Sequence, residues 1–152
     1  MDVIRRDGGS ESFLVPCKGM YPHDALHFIV ESTLGLTNAF WGRIARGEQP
    51  EDIQRSAKEG GHASASRAQL PAAEVIELIQ AERLVECVEA ELWGGVSDLE
   101  TFREVYAAAC NHSHVQPLAV SEAQLSNIRD GIEELKKQWQ THRFSFTVTM
   151  AA

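Results

Sequence analysis

Apolar and polar residues alternate with period two near the end of the chain. Phe144, Phe146, Val148 and Met150 are interleaved with Ser145, Thr147 and Thr149. That pattern predicts a strand with one buried and one wet face. At the other end, Val3-Ile4-Arg5-Arg6 reads as a short strand and Asp7-Gly8-Gly9-Ser10 as a turn. Ser12-Phe13-Leu14-Val15 reads as the return strand. Pro16 donates no ladder hydrogen bond, which places this hairpin at an edge. The two chain ends are therefore expected to pair in one small antiparallel sheet.

Between the ends the period changes to that of helices. Pro22 suits a first turn, Asp24 complements the positive end of the helix dipole, and Gly35 is a stop. Leu26, Ile29, Val30 and Thr33 form the inward face. Asn38 is a candidate cap for a second helix over 39–46, ended by Gly47, and a short helical turn is expected over 50–58. Residues 59–69, with Gly60-Gly61-His62 and a run of Ala and Ser, have no periodicity and read as a surface loop. A long helix is predicted over 71–93. Its Val75, Ile76, Leu78, Ile79, Leu84, Val85, Val88 and Leu92 cover more than one side, which marks a central element or a subunit interface. Ser97 and Glu100 resemble a capping box before a helix carrying Leu99, Phe102, Val105, Tyr106 and Ala109. Ser121 and Gln124 repeat that signal before Leu125, Ile128, Ile132, Leu135 and Trp139. The expected fold class is α+β, an N-terminal hairpin plus C-terminal strand packed against four or five helices.

Composition narrows the function. The 152 residues fit a single domain over 1–152 with its own core, and 43% hydrophobic with 24% charged residues is ordinary for a globular chain. A formal charge of −8 disfavours nucleic acid and anionic membrane surfaces as partners. No apolar stretch is long enough to span a bilayer, and Met-Asp-Val-Ile-Arg-Arg lacks the apolar core of a secretory signal. Cys17, Cys87 and Cys110 are odd in number and far apart, so the expected compartment is the reducing cytoplasm.

The candidate chemistry lies in the first helix. His23, His27 and Glu31 recur at i, i+4 and i+8 and so share one face. Imidazole with carboxylate suits a divalent transition metal, zinc first, and no nucleotide fingerprint is present. One straight helix does not readily wrap three ligands around a tetrahedral ion. The chelating pair is therefore His23 with His27 or His27 with Glu31, completed by a distant group such as His62, His112, His114 or His142. Asp24 would orient an imidazole from behind or act as a base. The spacing parallels the H-E-x-x-H zinc proteases, in which the Glu is the general base. Asp24 is one methylene shorter, which withdraws it from a metal-bound water.

The segment Pro22-His23-Asp24-x-x-His27-x-x-x-Glu31-x-x-x-Gly35-Leu36, followed by Phe40-Trp41-Gly42, resembles a group of short bacterial proteins with no assigned activity. The resemblance covers about residues 1–47. It implies a shared fold and a shared site, and no reaction.

Two weaker features complete the reading. Cys110-Asn111-His112-Ser113-His114 holds soft ligands but lacks a Cys-x-x-Cys partner. Glu82, Glu86, Glu89 and Glu91 read as the solvated side of the long helix. The leading expectation is a metal or polar site at His23, His27 and Glu31, serving a metal-assisted hydrolase. The alternative is a non-catalytic interaction protein, a homodimer through the helix over 71–93.

Overall fold

In a computed structural model the structure describes residues 2–4, 8–12, 20–61 and 70–140. Six α-helices dominate them: α1 (His23–Leu34), α2 (Phe40–Ala45), α3 (Pro50–Glu59), α4 (Ile76–Gly94), α5 (Leu99–His112) and α6 (Glu122–Gln140). Helix α1 packs on α6, α4 and α2, and α4 packs on α5.

The expected α+β fold is corrected by this arrangement. The helices bury their apolar faces on one another, so no sheet is needed as a packing surface. Extended pairing among the described residues is a ribbon of three residues a side, β1 (Asp2–Ile4) with β2 (Ser10–Ser12). Its strands pair antiparallel, with Val3 opposite Glu11. The ribbon is not among the main packing partners of the helices. The strand expected over 144–150 lies outside the described residues, as do Arg5, Arg6 and 13–15.

Local chemistry explains the helix ends. Gly35 takes φ 67°, where only glycine is unstrained. The Leu36 amide then donates to the Glu31 carbonyl, and the Gly35 amide to that of Ser32. This is the Schellman closure of α1. Ser121 and Gln124 exchange side chain and backbone bonds reciprocally (3.1 and 2.9 Å) before α6, as their spacing predicts. The other capping box is corrected. Asp98, not Ser97, caps α5 by accepting from the Thr101 amide at 2.8 Å. Ser97 instead donates to Glu91. Asn38 does not cap α2 either; Ala39 is the residue before that helix, and the Asn38 amide turns to Glu77. The long helix starts later than Pro71, because extended backbone at Ala72 leads into a 3-10 turn over Ala73–Val75.

The core runs through every helix. Leu26 and Val30 of α1, Ile44 of α2, Ile53 of α3, Leu84 and Val88 of α4, Phe102 and Tyr106 of α5, and Leu125 and Ile128 of α6 are all buried. Two glycines permit close approach. A Cβ at Gly42 would lie 2.5 Å from the Thr37 carbonyl and 2.6 Å from that of Leu36, and one at Gly131 would lie 2.9 Å from Ile29. Gly131 thus lets α6 approach α1. Among the described residues no helix is long and apolar enough to cross a membrane.

Candidate metal centre

Helix α1 turns His23 and His27 toward α4, which answers with Glu82 and Glu89, while Glu31 lies behind His27 against the Trp41 amide of α2. The heart of the arrangement is a triangle of three atoms. His27 Nε2 lies 3.1 Å from His23 Nε2 and 3.1 Å from Glu82 Oε2, and His23 Nε2 lies 3.6 Å from Glu82 Oε2. Three ligands around a tetrahedral ion at bond lengths of about 2.0–2.2 Å stand about 3.3–3.6 Å apart. The triangle averages close to that spacing, so the ligands need little rearrangement to hold an ion.

Each imidazole is braced from behind by a carboxylate. Glu31 Oε1 lies 3.0 Å from His27 Nδ1, and Glu89 Oε1 lies 3.0 Å from His23 Nδ1. Carboxylates bracing the far nitrogen of a ligating His are the usual support of metal sites. The two braces differ in burial. The side chains of His27 and Glu31 are 10% and 1% exposed, whereas those of His23 and Glu89 are 41% and 36% exposed. Glu31 is also held by the Trp41 backbone amide, which donates to its Oε2 at 2.7 Å. Trp41 is fixed in turn. Its ring nitrogen donates to the Asp24 carbonyl at 2.9 Å, and its ring stands edge-on to Phe28 and Phe40.

The triangle demands a positive charge at its centre. With both Nδ1–H groups donating to carboxylates, two bare imidazole nitrogens and a carboxylate oxygen would converge. Without a metal, a proton does that work. Burial alone would lower the pKa of His27, but the carboxylates of Glu31 and Glu82 outweigh it and hold the value up at about 9. His23 is raised as well, chiefly by Glu82. Burial would raise Glu82, yet its bonds to His23 and His27 leave it well below the usual carboxylate range. Two fully protonated imidazoles would point hydrogens at each other across 3.1 Å.

The structure thus brings His23 and His27 together, with Glu82 as the third group that meets at the triangle. Glu31 stands one layer behind, on the far side of the His27 ring. Asp24 joins through its main chain, and among the described residues its carboxylate is not one of the converging groups. His112 and His114 are not members of the cluster, and both are exposed. His62 and His142 lie outside the described residues. Cys110 is fully buried near Tyr106, which removes it from a joint site with those two histidines.

The acidic stripe of α4 is the part that sequence reasoning misread. It is not merely solvated. Glu82 and Glu89 face the two imidazoles, Glu86 pairs with Arg83 at 2.8 Å, and Glu91 holds Arg129 at 2.6 Å. The signal was present as two complementary stripes, His at 23 and 27 on one helix and Glu at 82 and 89 on another. The i, i+7 spacing places both glutamates on one face of α4.

No protein-family model, no curated protein and no solved structure matches the chain.

Proposed function

We propose that His23, His27 and Glu82 hold one divalent metal ion, zinc first among those that suit the donors, and that the centre serves metal-assisted hydrolysis. The observation that carries this is the triangle of Nε2, Nε2 and Oε2 at 3.1, 3.1 and 3.6 Å, spaced for an ion before one arrives. Two imidazoles and one carboxylate leave a coordination position for water, the pattern of catalytic rather than closed structural zinc sites. The half-exposed His23 supplies the route to that position. An ion held there would act as a Lewis acid that makes water more acidic near neutral pH. The chain's own groups bind and orient: Glu82 and the two imidazoles ligate, while Glu31 and Glu89 fix the rings.

Cobalt substitution tests the reading. Cobalt added to chelator-treated, tag-free protein should give the intense visible bands of a four- or five-coordinate centre, and Glu82→Gln should weaken them. The cobalt or zinc form should then hydrolyse an activated carboxylic ester faster than the chelated protein. Pale octahedral cobalt alone contradicts the centre. A normal centre with no hydrolysis above the chelated control leaves a metal protein that is not a hydrolase.

The alternative, self-association through residues 71–93, rests on a smaller surface than the sequence pattern implies. Leu78, Ile79, Leu84, Val85 and Val88 are buried within the chain, and the large apolar residue the helix presents outward is Trp93, 75% exposed.

A further inference from the structure

We propose that Glu31 is a positioning residue that selects the tautomer in which His27 presents a bare Nε2 to the metal. The inference rests on the metal reading above and adds a role to a residue that does not itself meet the ion. Glu31 sits almost entirely within the protein, at 2% exposure, on the last full turn of α1. Its two oxygens are divided between two donors. Oε1 faces His27 Nδ1 at 3.0 Å, and Oε2 accepts the Trp41 amide at 2.7 Å. The amide is always a donor, so its side of the carboxylate is fixed. The carboxylate has only lone pairs left to offer the imidazole, and Nδ1 must carry the proton to meet it. A neutral ring protonated at Nδ1 has its free lone pair at Nε2. That is the atom which meets His23 Nε2 and Glu82 Oε2.

Symmetry of the acceptor is therefore the property that matters. A carboxylate accepts from both donors at once, and a carboxamide of the same shape cannot. Gln at position 31 must turn its oxygen to the Trp41 amide, because the reverse sets two donors against each other in a buried place. Its NH2 then faces His27 Nδ1 and donates to it, which moves the imidazole proton to Nε2. That proton has a ready acceptor in Glu82, so the metal-free protein keeps its hydrogen bonds while losing the Glu31 charge beside the imidazole. The same proton blocks the nitrogen needed by the metal. The substitution separates the two roles: a residue that only held the fold would lower the stability of both forms equally, whereas a tautomer selector costs the metal-bound form more than the metal-free one.

Glu89 does not share this role to the same degree. It and His23 are partly solvated, so water can replace one partner of that pair at small cost. The inner imidazole is the one whose proton is fixed by the protein.

The experiment compares wild type with Glu31→Gln, both free of tag and metal, by thermal unfolding with and without added zinc, and by zinc titration. The expected result is a lower metal-free melting temperature at neutral pH, since the Glu31 charge beside His27 is gone, together with a lost or much reduced rise on adding zinc and zinc affinity lower by about 10–100-fold. Equal zinc affinity in the two proteins overturns the inference, as does an equal loss of stability in both forms. If wild type itself shows no response to zinc, the metal reading fails rather than the role of Glu31. A second measurement needs no variant. Long-range 1H–15N correlation of the zinc-loaded wild type should show His27 protonated at Nδ1 and metallated at Nε2. The opposite assignment overturns the inference even if Glu31→Gln fails to fold.

Discussion

At the scale of single residues, the imidazole of His27 carries most of the account. It is buried, yet it meets three polar atoms from three residues, two carboxylates and a second imidazole. Removing one partner leaves a polar group buried and unmatched, at a cost of about 1–3 kcal/mol. Glu82→Gln therefore has a definite expected outcome. It keeps a hydrogen-bond acceptor beside both rings and removes the charge that pairs with a cation. Zinc affinity should fall by at least tenfold in a competition titration, while urea unfolding of the metal-free protein at neutral pH should show a modest loss. Unchanged affinity would exclude Glu82 as a ligand. Buried thiols show the contrasting case. Burial pushes Cys87 up to about 11 and raises Cys110, so neither is a thiolate at neutral pH and neither competes for the ion.

At the scale of elements, the site depends on how closely α2 approaches the turn after α1. The backbone of Thr37 and Leu36 lies where a Cβ of residue 42 would be, and backbone cannot step aside as a side chain does. Gly42→Ala should therefore cost about 2–3 kcal/mol by urea denaturation. It should also weaken zinc binding, because α2 carries the Trp41 amide that holds Glu31. A Gly42→Ala protein as stable as wild type would mean that α2 is not packed as described. Helix α1 was legible in the sequence from Pro22 to Gly35, because its start, its apolar face and its glycine stop all point the same way. The His23 and His27 pair was legible for the same reason. Its third partner was not. Glu82 looks like any exposed acid within its own helix, and only the packing of α4 against α1 gives it a role. The sequence presents Glu31 as a ligand, since it carries no sign that the Trp41 amide arrives behind it. The error over sheet content has a similar origin. Alternation over 144–150 and turn chemistry at 7–10 are local signals, whereas the helices settle the fold through long-range contacts of α1 with α4 and α6.

At the scale of the whole molecule, the cluster couples folding to protons and to metal. The pKa of His27 rises on folding from an ordinary 6.5 to about 9. A raised value means that the folded chain holds the proton more tightly than the unfolded one. This contribution is complete below pH 6.5, fades between 6.5 and about 9, and is gone above. The shift corresponds to stability on the order of 3 kcal/mol. Glu82 is lowered, so its contribution is present above its ordinary 4.5 and declines as the pH falls below that value. Metal-free protein should accordingly be most stable between about pH 4.5 and 6.5 and should lose stability toward pH 9, measured by urea unfolding in the presence of chelator. Saturating zinc should flatten the alkaline limb, because the ion takes the place of the proton and stabilises by mass action. A metal-free protein whose stability is flat from pH 6 to 9 would contradict the geometry assigned to His27.

Elemental analysis of tag-free protein, equilibrated with zinc and then desalted, is the most direct test of the centre built from His23, His27 and Glu82. The account predicts about one equivalent of zinc per chain in the wild type, as expected for a single three-ligand site, and close to none in a protein carrying His23→Ala and Glu82→Gln together. Wild-type protein that emerges without zinc, or a double variant that retains the full equivalent, would contradict it.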